Sequence, residues 1–265
     1  MTGYDPESGH ISINGHEIYY EKHFNEKTEN KDKAVILLHE GLGSAQFWRG
    51  YPAFFMNNFN LPVIVYDRRG YGKSSAADWA GEWRYMHDEA LKILPALISK
   101  LGLNKVILTG HSDGGSIALL HAAAFPDITD TVIAIAPHYY REDKTKASLE
   151  STVRSYESGG LDKMLKKYHG DKYRQVFHNW SDTWLSDDFA RWDLSGELAA
   201  ISCTALLIQC EEDEYASVSH IKDMEKLITG AKAYIIEGKS HSPHIKFRHE
   251  VMKMIKSFLK SQNNL

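Results

Sequence analysis

The chain has 265 residues, enough to bury the core of one large α/β domain with an inserted subdomain. Hydrophobic residues at 43% and charged residues at 25% are ordinary globular values, and a net charge of −4 offers no general attraction to nucleic acid or anionic lipid. The stretch up to Lys33 is polar and broken by glycine and charge, and no apolar run approaches membrane-spanning length, so a cytoplasmic protein without a membrane or nucleic-acid partner is expected.

The first pattern in the chain is Ile11–Tyr20, which alternates around Asn14-Gly15, a good two-residue hairpin turn, and predicts two antiparallel strands. Four continuous apolar runs follow: Ala34–Leu38, Val63–Tyr66, Val106–Leu108 and Val132–Ala136. Runs without alternation belong to strands buried on both faces, as in a parallel sheet covered by helices. The amphipathic stretches Glu82–Lys100 and Ser116–Ala124 lie between them, the second ended by Phe125-Pro126. Two more strands, Ala205–Gln209 and Ala233–Ile236, alternate with helical stretches at Ser217–Ile228 and Pro243–Lys260. The fold class expected is α/β: a doubly wound, mostly parallel sheet preceded by an antiparallel hairpin. Cys203 and Cys210 flank one extended segment, too far apart for a disulfide, and read as reduced core thiols.

Residues 138–198 break the βα rhythm. They hold no strand-like run, but helical patterns and a dense aromatic set: Tyr139, Tyr140, Tyr156, Tyr168, Tyr173, Phe177, Trp180, Trp184, Phe189 and Trp192. The simplest reading is a helical lid inserted between two parts of the body, 1–137 and 199–265. Most of these aromatics are expected to join the lid to itself and to the body, with Trp180 and Trp184 the candidates to face a pocket.

Chemistry enters at Thr109-Gly110-His111-Ser112-Asp113-Gly114-Gly115, between the run at Val106–Leu108 and the helical stretch from Ser116. A serine on so tight a strand-to-helix turn takes a strained backbone conformation, and glycines two positions before and after leave room for the bend. The turn exposes the hydroxyl at the end of the sheet, where the helix N-terminus and the Asp113 N–H face the place an oxyanion would form. A serine nucleophile also needs a base, and an acid to hold that base in one tautomer. Downstream, Ala205–Gln209 runs into Cys210-Glu211-Glu212-Asp213-Glu214, and Ala233–Ile236 runs into Glu237-Gly238-Lys239-Ser240-His241. An acid and His241 therefore follow strands at the edge where Ser112 lies.

With these pieces the chain resembles the α/β-hydrolase fold family, of the lid-bearing kind that includes small carboxylesterases and C–C bond hydrolases. The matching segments are Leu37-Leu38-His39-Glu40-Gly41-Leu42-Gly43, Asp67-Arg68-Arg69-Gly70-Tyr71-Gly72-Lys73-Ser74, the elbow at Gly110–Gly114, the loop at Asp213, and Gly238-Lys239-Ser240-His241. The resemblance implies a triad of Ser112, an acid and His241, an oxyanion donor near Gly41 beside that of Asp113, and no cofactor or metal. Offset from the strand and the resemblance together choose Asp213 as the acid, with Glu212 the first alternative. Leu42, His111, Trp180 and Trp184 are the expected pocket wall. His244 is expected to lie solvated or behind the site.

Relatives usually have glycine where this chain has Glu40. A carboxylate beside a developing oxyanion would oppose catalysis, so Glu40 should turn away or be neutralised, with Arg68 or Arg69 as the expected partner. The expected activity is hydrolysis of a small, largely apolar carboxylic ester through an acyl-enzyme. A C–C bond hydrolase acting on a diketone, an acyltransferase, and a non-catalytic ligand-binding protein are the alternatives. The expected partner is a small ester-like substrate, and a homodimer is left open.

Overall fold

In a computed structural model, which describes residues 6–28 and 31–262, the expected sheet forms from eight strands. They are β1 (Glu7–Ile13), β2 (His16–His23), β3 (Lys33–Leu38), β4 (Val63–Tyr66), β5 (Lys105–His111), β6 (Thr129–Ile135), β7 (Thr204–Cys210) and β8 (Ala231–Ile236). Their spatial order is β1-β2-β4-β3-β5-β6-β7-β8. The β1–β2 and β2–β4 pairs are antiparallel, and every later pair is parallel. Asn14 and Gly15 both have positive φ, 50° and 81°, as the tight β1–β2 turn requires.

The runs lack alternation because each strand sends successive side chains into two different apolar layers. Val35, Leu37, Val63, Val65, Ile107 and Ile133 meet α1 (Tyr51–Phe59) and the C-terminal helix Arg248–Ser261. Ile36, Leu38, Ile64, Val106, Leu108 and Val132 meet the opposite layer. That layer contains Leu94, Leu97 and Ile98 of the helix Leu94–Lys100 and most of the helix Asp113–Ala124.

β3 is flanked by β4 on one side and β5 on the other, so the chain reverses its direction of travel across the sheet between β3 and β5. The loops leaving the C-terminal ends of β3 and β5 diverge there and leave a crevice, the usual ligand position in such sheets. The segments containing Glu40, Gly41 and Ser112 border it.

Between β6 and β7 the chain forms helices Asp143–Glu157, Asp162–His169, Tyr173–Leu185 and Ser195–Ala199, with short 3-10 turns. A single antiparallel bridge, Tyr140 to Asp193, closes the two ends of this insertion against each other. The last helix, Ser195–Ala199, packs on Asp113–Ala124 and on Val218–Leu227. Insertion and body share one apolar cluster, in which Leu149, Leu165, Phe177 and Trp184 join the layer over β3 and β5. Cys203 and Cys210 are both free thiols.

Candidate active site

Ser112 has φ 51° and ψ −119°, a conformation that L residues rarely adopt. Its amide donates to the Ile135 carbonyl at 2.8 Å, and helix Asp113–Ala124 starts at the next residue. The flanking glycines serve close approach of backbone to backbone. A Cβ on Gly110 would lie 2.1 Å from the Gly114 carbonyl oxygen, and one on Gly114 would lie 2.2 Å from that of Leu38. The bend therefore presses the start of the helix against the end of β3 and leaves the Ser112 side chain on the crevice.

Ser112 Oγ is 2.9 Å from His241 Nε2, and His241 Nδ1 is 2.9 Å and 3.0 Å from the two carboxylate oxygens of Asp213. Asp213 is fully buried, and its Oδ1 also accepts the backbone N–H groups of Tyr215 (2.8 Å) and Ala216 (3.3 Å). The loops after β7 and β8 are joined by backbone bonds, Glu211 to the Ile236 carbonyl and Glu212 to that of Gly238. The side chains of Glu211 and Glu212 are directed outward and exposed, so of the crowded acids it is Asp213 that meets His241.

Glu40 does not follow the expected pairing. Arg68 donates instead to the Glu40 backbone carbonyl at 2.9 Å and lies 3.5 Å from the Asp113 carboxylate, while Arg69 reaches out to Glu82 at 3.6 Å. The reason lies in the turn after β4: Arg68 is buried inward, 1% exposed, and Arg69 faces the opposite way. The Glu40 carboxylate folds over its own loop, where a Cβ on Gly43 would collide with it, and contacts His111 Nδ1 at 3.4 Å.

Asp113 turns its carboxylate into a buried network. Oδ2 accepts the Tyr85 hydroxyl at 2.6 Å, and Tyr85 in turn accepts the Trp184 indole N–H at 2.7 Å. Burial pushes the Asp113 carboxyl up, opposed by Arg68 and Tyr85. Burial also works against the charge on Arg68, but Tyr71, Asp113, Tyr85 and Glu89 around it hold the guanidinium above its ordinary value. Arg68 is thus a permanent cation beneath the site.

Ser112 and His241 open onto a cavity of about 210 Å³. Ser112, His241, Glu40, Gly41, Leu42, His111 and Asp113 form its floor and one wall, and Leu149, Trp180 and Trp184 close it from the insertion. Trp180 lies so close over Gly41 that a Cβ there would be 2.1 Å from its indole nitrogen.

A model described as the alpha/beta hydrolase family matches residues 35–253. The chain belongs to that family. Human serine hydrolase BPHL is 27% identical to it over 260 residues, covering 95% of this chain and 86% of that protein. A proline iminopeptidase of Saccharolobus solfataricus is 22% identical over 300 residues, covering 98% and 94%. Among solved structures, the enol-lactonase of Burkholderia xenovorans LB400 superposes with a TM-score of 0.75 at 17% identity, over 95% of this chain and all of that one. A bacterial membrane phospholipase A gives 0.75 at 20% identity over 98% of this chain and 87% of that one. At such identities the structures speak for the fold alone.

Sequence reasoning about this hydrolase misses part of the cavity wall. His138, Thr145, Tyr215 and Ser242 also line it. His138 and Tyr215 had a usable signal: the first follows β6 and the second lies two residues after the acid, both at the sheet edge that carries the serine. Thr145 had none, because its position depends on how helix Asp143–Glu157 docks. His244 is neither solvated nor polar-bonded. It is 1% exposed, 4.3 Å from the His111 ring and 5.0 Å from Trp48, with both ring nitrogens lacking a hydrogen-bond partner among the described residues.

Proposed function

We propose that this hydrolase cleaves a small, largely apolar carboxylic ester through a covalent acyl-enzyme. The observation that supports it most is the continuous chain Ser112–His241–Asp213 on the floor of a cavity walled by Trp180, Trp184 and Leu149. His241 takes the Ser112 proton as the oxygen attacks the ester carbonyl, and Asp213 holds the imidazole in the tautomer that leaves Nε2 free to accept. The amides of Gly41 and Asp113 receive the oxyanion; that of Asp113 is a first-turn helix N–H, which the helix itself leaves unbonded. The proton then passes from His241 to the leaving alcohol, and water repeats the two steps to release the acid.

The C–C bond alternative calls for a cation to bind a substrate carboxylate. Neither lysine nor arginine lines the cavity among the described residues, which favours a neutral acyl group. No helix among the described residues is long and apolar enough to cross a membrane, and with both cysteines reduced a cytoplasmic setting fits this reading. Turnover of a short-chain aryl ester beside a panel of vinylogous diketones tests it. Ester hydrolysis abolished by Ser112→Ala supports the reading, and diketone cleavage without ester hydrolysis overturns it.

A further inference from the structure

The buried histidines of this site reveal their protonation through their partners. His39 Nε2 accepts the Arg68 backbone N–H at 3.0 Å, so its other nitrogen, 2.8 Å from the Glu40 carbonyl oxygen, must carry the proton. His169 has the same arrangement, accepting the Gly72 N–H at 3.1 Å and facing the Leu42 carbonyl at 3.0 Å. Each is satisfied as a neutral ring. His111 differs because both of its partners are acceptors: Nε2 is 2.7 Å from the His241 carbonyl oxygen and Nδ1 is 3.4 Å from Glu40 Oε2. A neutral imidazole owns one N–H, so one nitrogen would present a lone pair to an oxygen in a ring that is 1% exposed.

We propose that Glu40 and His111 hold one additional proton as a carboxylate–imidazolium pair, which ties the Gly41 loop to the His241 loop and cancels the Glu40 charge beside the oxyanion site. The proposal rests on the roles given above to Ser112, His241 and Gly41. His111 faces Glu40 and His39 from the loop after β3, His138 from the end of β6, and His241 and His244 from the loop after β8, with Arg68 behind Glu40. His39, His138 and His244 are each held well below the ordinary histidine value, first by burial and then by neighbouring histidines and arginines. Of these faces, only His111 and His241 meet a carboxylate, and that of His241 belongs to Asp213. Burial works against the charge on Glu40, yet its contact with His111 brings the carboxyl below its usual range.

The pair resolves the conflict that the sequence poses. As carboxylate and imidazolium it is neutral overall, and the doubly protonated ring donates to two loops that carry opposite parts of the reaction. His111 and Glu40 are positioning residues here. Without that proton the site would set a carboxylate next to Gly41 and an oxygen against a lone pair.

Long-range proton–nitrogen NMR on protein labelled at the histidine ring nitrogens, with the His111 signal assigned by its loss in His111→Asn, reads the proton directly. Both His111 nitrogens protonated at neutral pH are expected; a single N–H overturns the pair whether or not any ester is hydrolysed. Glu40→Gln can donate its amide N–H to the lone pair of a neutral His111, so it should lower kcat only about threefold with KM little changed. Glu40→Ala should lower kcat by more than about tenfold with KM little changed. A kcat loss in Glu40→Gln as deep as that in Glu40→Ala would also overturn the proposal. Labelling of Ser112 by a fluorophosphonate in the wild type tests the nucleophile separately, so a failure there is distinguishable from a failure of the pair.

Discussion

The strand-end body and the helical insertion build opposite walls of one cavity by different physical means. In the body, backbone meets backbone: Gly110 packs on Gly114, Gly114 packs on Leu38, and a strained Ser112 stands between them. In the insertion, side chain meets side chain. Tyr156 stacks on Phe177 with centroids 3.7 Å apart, and Trp184, Phe189 and Trp192 form a second group with spacings of 4.5 to 5.8 Å. Backbone contact admits only glycine, whereas an apolar contact between side chains tolerates many shapes of about the same volume. Chemistry should therefore be brittle in the body, and selectivity adjustable in the insertion.

The largest expected effect breaks the body. Ser112→Ala or His241→Ala should lower kcat/KM on a short aryl ester by about 10⁴-fold or more, and Asp213→Asn by less, with the circular dichroism spectrum retained. Trp180→Ala, from the opposite wall, should instead raise KM by roughly tenfold and shift chain-length preference, because it removes apolar contact rather than a reacting group. A kcat loss in Trp180→Ala as deep as that of Ser112→Ala would show that the insertion takes part in the chemistry and would end the distinction.

A pair of glycines sharpens the same contrast in stability. Gly114→Ala forces a methyl group against the Leu38 and His39 carbonyls, neither of which is a side chain that can swing aside. A loss of about 3 kcal/mol or more is expected in denaturant unfolding. Gly196 lies in helix Ser195–Ala199, with nothing within 4 Å of the added carbon and no positive φ. Gly196→Ala should stabilise by about 0.5 kcal/mol.

This division also accounts for what the sequence made legible. The sheet, the elbow and the order of Ser112, Asp213 and His241 could be read because close packing and strand ends leave residue types at fixed places. Helix starts shifted by a few residues: Tyr85 where Glu82 was expected, and Asp113 where Ser116 was. Local pattern does not specify which residue of a helical stretch first closes a bond. The partner of Glu40 was not legible, since the cations that follow the neighbouring strand, Arg68 and Arg69, are drawn to Asp113 and Glu82. In the insertion Trp180 and Trp184, the two candidates to face a pocket, line the cavity, while Tyr156, Phe177, Phe189 and Trp192 hold the insertion together. Composition alone does not separate those two groups of aromatics.

The smallest expected effect compares two neutral histidines, one in each region. His121 on helix Asp113–Ala124 bonds the Thr129 hydroxyl at 3.0 Å, and His169 clasps the insertion to the body through Gly72 and Leu42. Burial pushes both down to about 4 from an ordinary 6.5. The unfolded chain therefore binds these protons more readily than the folded one, so the stability they contribute is complete above about pH 6.5 and declines as the pH falls toward 4. By pH 5 each should cost about 2 kcal/mol, and His121→Gln or His169→Gln, which keeps an amide donor and acceptor without a titrating ring, should flatten that decline. The two losses should differ in kind. Protonating His121 strains the sheet layer and should lower the global unfolding midpoint. Protonating His169 breaks a clasp on the insertion, and hydrogen exchange at pH 5 should rise first in helix Asp162–His169 and around Gly72, before β5 and β6. Equal exchange in both regions at pH 5 would mean that lid and body open as one unit, which their shared apolar cluster would then have to explain.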